Sequence, residues 1–174
     1  MTVNLTNTAG ASSVSLSPTS NVTLSAYDDE ARPLRKEPGG TSAGMTNWSV
    51  SKAYEQFQLP AYVPGTEVLS ADFHSLYGGD QGSSGNLYVF SVSNDWNESS
   101  VSWQTAPQEQ SMLATLDFTP GQSFHADLTA YVNQAYQNGG VVSFIIMDNP
   151  AAPTLQSFRT LSEDKRLDLT ISAA

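Results

Sequence analysis

Carboxylates, imidazoles and aromatic rings set in polar loops are the side chains of this sequence able to bind a ligand or carry a reaction. Asp28, Asp29 and Glu30 stand together in YDDEARP, and grouped carboxylate oxygens are the hard ligands that Ca²⁺ takes. Their spacing is not that of an EF-hand loop, so the run reads first as a solvated turn. No metal is assigned, and calcium at this run is the alternative. His74 and His125 are the only histidines. They form no His-x-His or His-x-x-x-His chelate, and each falls in a strand-like stretch where a solvated position is expected. A Ser-His-Asp triad can draw its members from anywhere in a chain, so sequence neither places nor removes one. There is no Gly-x-Ser-x-Gly elbow, phosphate-binding loop or dinucleotide fingerprint. Nothing nominates two carboxylates as a glycoside-hydrolysing pair. No catalytic residue and no cofactor is expected.

The aromatic rings carry more. Trp48 lies in GGTSAGMTNWSVSKAY, Tyr77 beside GGDQGSSGN, and Tyr27 just ahead of the acidic run. Ligand contacts concentrate in loops of this kind. A rigid ring with polar groups around it can stack on a sugar or anchor a protein partner. Trp48, Tyr77 and Tyr27 are therefore the candidate contact residues.

The elements that must position them read as strands. In RLDLTIS, Leu167, Leu169 and Ile171 face one way while Arg166, Asp168 and Thr170 face the other. VLSADFHSLY alternates in the same fashion, NLYVFSVS is nearly apolar on both faces, and VVSFIIM reads as a central strand buried on both sides. Turn signals such as EPGG, LPAYVPG, FTPGQ, QNGG and DNPAAP separate them. One segment breaks the pattern: Leu128, Tyr131, Val132 and Ala135 follow helical spacing, with Asp127 as the expected N-cap and Asn138-Gly139-Gly140 as the stop. The expected architecture is an all-β, jelly-roll-like antiparallel β-sandwich with one short helix. Residues 1–20, rich in Ser and Thr, are set apart as a polar N-terminal arm with room for a short edge strand, and residues 21–174 form the sandwich domain.

Composition limits the partners. Seven Lys and Arg against 17 Asp and Glu give a net charge of −10, which argues against nucleic acid, whose binding rests on cations neutralising phosphates. It argues equally against an anionic membrane surface, and no apolar run is long enough to span a bilayer. The absence of Cys rules out disulfides, thiol chemistry and Cys-ligated zinc. The opening MTVNLTNTAG lacks the basic and apolar parts of a signal peptide.

Taken in order, the segments resemble the DNRLRE-domain family, which overlaps carbohydrate-binding module family 96. KAYEQFQLP is similar to that family's strand through Lys52, Tyr54, Phe57 and Leu59. NDWNESSVSWQTAP is similar to its double-tryptophan pattern through Trp96, Glu98, Val101, Ser102, Trp103 and Pro107. EVLSADFHSLY, HADLTAYVNQAYQNGGVVSFIIMDN and SFRTLSEDKRLDLTIS follow in the family's order. Glu55 and Gln56 depart from it, standing where the family carries an apolar and a frequently basic residue. The resemblance implies a jelly-roll-like sandwich and no catalysis. It also implies that Phe57, Leu59, Trp96, Trp103 and Pro107 are structural, with Trp103 in the core or at its rim and Trp96 covering the sandwich edge.

Two functions fit. The first is a non-catalytic structural or adhesive module on a large surface assembly, in its most concrete form a phage virion protein (capsid decoration or tail-associated). It would sit against protein subunits as a homo-oligomer. The alternative is a carbohydrate-binding module of a secreted polysaccharide-acting enzyme. Its glycan would be neutral, because the net charge and Gln56 disfavour an acidic one. Both place the chain outside a cell or on a virion surface.

Overall fold

Antiparallel strands account for most of the chain in the computed structural model, which describes residues 6–8, 10–27, 34–40, 42–80, 86–118, 123–153, 157 and 159–174. One sheet runs β1 (Thr6–Thr8), β2 (Ala11–Leu16), β12 (Arg159–Ser172), β7 (Val68–Asp80), β10 (Ser123–Asp127), β9 (Met112–Phe118). The other runs β4 (Arg35–Pro38), β3 (Ser20–Tyr27), β6 (Ser49–Gln58), β11 (Val141–Met147), β8 (Leu87–Ser91), β9. β9 therefore belongs to both: Leu116 pairs with Leu87 of β8, and Asp117 with His125 of β10. β5 (Ser42–Met45) closes the other side, pairing β12 through Ser42 and Ala43 and β6 through Gly44 and Met45. Strands that switch sheets make the sandwich jelly-roll-like.

Period-two alternation decides which residues meet between the sheets. Ala71 and Phe73, Phe124 and Ala126, and Leu167, Leu169 and Ile171 come from the first sheet. Ala53 and Phe57, Val142, Phe144 and Ile146, and Leu87 and Val89 come from the second. Phe57 stacks on Phe144 at 5.7 Å, and Phe73 meets Phe144 edge-on at 5.0 Å, so rings from three strands lock the sheets together.

β11 is apolar but for Ser143 because the second sheet is buried on both faces. Its outer side, with Val22, Leu24, Tyr54, Phe90, Ile145 and Met147, is covered by Val92, Trp96, Val101 and Ala106 of the following segment. β2 lies inside the stretch set apart as an arm, yet it pairs with β12 over Ala11–Leu16, and Val14 and Leu16 are buried in the main core. Two apolar residues at alternate positions are enough, since β12 supplies the ladder.

Among the described residues there is one helix, α1 (Thr129–Asn138), whose Val132 and Tyr136, with Leu128 just before it, seal one end of the core. Asp127 stands one place ahead of the cap residue Leu128. Its carboxylate accepts from the Thr129 N–H at 2.9 Å and hydroxyl at 2.6 Å. Gly139, at φ 124°, ends the helix where a side chain would be strained.

An ion pair crosses the interior. Lys165 Nζ of β12 lies 3.0 Å from Glu55 Oε1 of β6, neither side chain is exposed, and the ammonium also donates to the Gly39 carbonyl. A Cβ on Gly40 would stand 2.5 Å from that carboxylate oxygen, so the chain passes here only as glycine.

Candidate functional site

The β5–β6 hairpin holds Trp48 out from the protein. Met45 pairs with Val50 across the turn. The Thr46 N–H donates to the Ser49 carbonyl at 2.9 Å, and the Trp48 N–H donates to Thr46 Oγ1 at 3.1 Å. The turn is thus fixed by its own polar groups, and the indole, 68% exposed, takes no part in holding it. Tyr27 ends β3 directly opposite Ser49, which brings it to the same place. Between them lies a cleft of about 360 Å³, lined by Tyr27, Met45, Thr46, Asn47, Trp48 and Val50 among others. Arg35 Nη1 donates to the Tyr27 phenol at 3.4 Å and pairs with Glu37 at 2.7 Å. None of the cleft's described lining residues carries a full charge. Two rings, hydroxyls and one carboxamide suit a ligand with apolar faces and polar edges. That is the chemistry of a neutral pyranose.

Trp48 and Tyr27 are therefore brought together. Tyr77 lies in β7 of the other sheet, opposite Leu161, and its side chain falls outside the described residues, as do Asp28, Asp29 and Glu30 entirely.

The two other tryptophans pack. Trp96, 8% exposed, meets Tyr54 edge-on at 5.7 Å on the outer face of the second sheet. Trp103 is half-buried beside the same cluster, with Lys52 Nζ 5.4 Å from its ring centroid. Lys52 also pairs with Glu109 at 3.3 Å. Burial raises the pKa of Tyr54, so its phenol stays protonated and donates to the Pro107 carbonyl at 3.1 Å. Trp103 thus packs at the rim of that cluster, while Trp96, expected to cover the sandwich edge, is buried within it; both rings cover a sheet face. Phe57 and Leu59 lie in the main core.

One arrangement was not foreseen. On the outer face of the first sheet His74 and His125 are cross-strand partners. His74 Nε2 lies 2.6 Å from Asp168 Oδ2, and His125 Nδ1 lies 3.3 Å from Asp72 Oδ2, with Ser123 Oγ 3.3 Å from its other nitrogen. Burial pushes the Asp168 carboxyl up, but the hydrogen-bonded His74, the neighbouring Ser15 hydroxyl and the nearby Arg166 together hold it below its ordinary range. Ser123, His125 and Asp72 follow the order of a hydrolytic triad. All three stand on strands, and the backbone of Ser123–Asp127 is committed to ladders with β7 and, at Phe124 and His125, with β9. Alternation alone assigns these residues to exposed faces; only the strand order brings them together.

The model of carbohydrate-binding module family 96 matches residues 39–172, from the end of β4 to the end of β12. The chain belongs to carbohydrate-binding module family 96. No curated protein matches it as a relative. The family 96 match contains Trp48 and the double-tryptophan segment and begins after Tyr27. Of the two functions expected from the sequence, it speaks for glycan binding, and the virion reading gains nothing from it.

Proposed function

We propose that this chain is a non-catalytic module that binds a neutral glycan through the Trp48–Tyr27 cleft, and that it does so outside the cell, where polysaccharide is met. The observation that carries the site is Trp48: a large ring left 68% exposed on a turn that needs nothing from it. A rigid indole held clear of the fold presents an apolar face on which a sugar ring can stack. The cleft beside it lies within the range of roughly 300–1,000 Å³ typical of small-ligand sites. Its rigid walls reduce the ordering cost that binding would otherwise carry.

The mechanism is stacking of a sugar face on the indole, with edge hydroxyls reaching Thr46, Asn47 and the Tyr27 phenol. The net charge of −10 disfavours uronic-acid polymers, and Arg35, the cation on the Tyr27 phenol, is already paired with Glu37. A panel of neutral and acidic polysaccharides, read by affinity electrophoresis of wild type and Trp48→Ala, tests both parts. Retardation by a neutral polymer that disappears in the variant supports the proposal. Equal retardation of the variant moves the site elsewhere, and retardation by acidic polymers alone overturns the reading.

A further inference from the structure

A second cleft, of about 310 Å³, opens between the C-terminal half of α1 and the start of β11. Val141 at its floor pairs with Gln58, at the far end of β6 from Trp48. The ten residues of β6 place the two clefts roughly 30 Å apart, so one sugar ring cannot reach both.

Its walls are carboxamides and a phenol: Asn94, Gln134, Asn138 and Tyr131, with the backbone at Gly139 and Gly140. Several donors are already committed. Asn94 Nδ2 donates to the Val141 carbonyl at 3.1 Å, Asn138 Nδ2 to the Gln134 carbonyl at 2.9 Å, and the Tyr131 phenol to the Ser143 carbonyl at 2.6 Å. What remains open is the Oδ1 atom and the second amide N–H of both Asn94 and Asn138, and the lone pairs of the phenol oxygen. The exposed Gln134 amide has no side-chain hydrogen bond among the described residues. Gln56 Nε2 braces the floor, donating to the Asn94 carbonyl at 3.2 Å and to Ser143 Oγ at 3.1 Å.

The helix end adds to this. The last carbonyls of α1 point out of its C-terminus, the negative end of the helix dipole, and no basic residue stands in the last turn. The cleft thus offers both acceptors and amide donors, is uncharged in its side chains, and is negative in potential from the helix end within a protein of net charge −10. Hydroxyl and ammonium donors are favoured there and carboxylates repelled.

We infer that this cleft is a second sugar subsite, taking a single neutral or aminated pyranose and rejecting a uronic acid. It rests on the reading of the chain as a glycan-binding module, though not on the Trp48 cleft. The test is a ¹H–¹⁵N NMR titration of the full chain with glucose, galactose, mannose, xylose, glucosamine and glucuronate in turn. At least one neutral sugar and glucosamine should shift the side-chain amides of Asn94, Gln134 and Asn138, while glucuronate should not. A Gln134→Ala/Asn138→Ala variant, changed at exposed helix positions that tolerate alanine, should weaken that response by roughly fivefold or more. Trp48→Ala should leave it intact. Shifts at the Trp48 indole with none in the cleft overturn this inference and leave the module reading standing. A glucuronate response equal to the neutral one also overturns it, and silence at both sites counts against inference and reading together.

Discussion

Removing each tryptophan in turn should cost three different amounts. Trp96 is 8% exposed and packs with Tyr54, Val22, Leu24 and Ile145. An indole burying about 200 Å² at about 25 cal/mol per Å² sets an upper bound near 5 kcal/mol. Compactness of the unfolded chain lowers that figure, so Trp96→Ala should destabilise by about 3–5 kcal/mol. Trp103 is half-buried, and its ring meets Lys52 at 5.4 Å; half that burial gives about 1.5–2.5 kcal/mol and a partly exposed cation–π contact adds about 0.5–1 kcal/mol, for a total of about 2–3.5 kcal/mol. Trp48, at 68% exposure, should cost no more than about 0.5 kcal/mol. Urea unfolding followed by far-ultraviolet circular dichroism measures all three without relying on indole fluorescence. If Trp103→Ala costs as much as Trp96→Ala, the depth assigned to the two rings is wrong. If Trp48→Ala costs more than about 1 kcal/mol, Trp48 is part of the packing and its role as a free platform fails.

The buried pair gives further tests. Glu55→Leu leaves Lys165 charged in the interior and should cost about 3–5 kcal/mol, while Glu55→Leu with Lys165→Met should be neutral or stabilising by about 1–4 kcal/mol. Burial, only partly offset by Lys165, pushes the Glu55 carboxyl up to about 7 from 4.5. The folded state therefore holds a proton that the unfolded chain has released, and stability from this group falls as pH rises across that window. Urea midpoints of Glu55→Gln should lack that fall, and an unchanged pH profile would contradict the assignment. Asp168, held below its ordinary range, stabilises above that range and loses the contribution as pH falls through its folded value. Because its pair with His74 is half exposed and screened, Asp168→Asn should cost no more than about 1 kcal/mol at neutral pH and nothing in strong acid.

Alternation made the interior strands readable before any coordinates. Leu167, Leu169 and Ile171 face the core, and the stretch from Val142 to Met147, apolar but for Ser143, is buried on both sides. β2 was harder to see because Val14 and Leu16 sit among serines, and its stability comes from β12, some 150 residues downstream. Trp48 and Tyr27 could be nominated as loop and strand-end aromatics. Their meeting depends on the register that sets Tyr27 opposite Ser49, which no local pattern encodes. The Glu55–Lys165 pair showed in the sequence only as an acid at a position whose neighbours are apolar, and its cation comes from a different sheet. The His74–His125 face escaped for the same reason: strand order determines it.

Binding isotherms of wild type and Trp48→Ala on one neutral polysaccharide show whether Trp48 is the glycan contact. The variant should unfold at the wild-type urea concentration and bind at least about tenfold more weakly, a loss of about 1.4 kcal/mol. A variant that folds and binds as the wild type does would contradict that role.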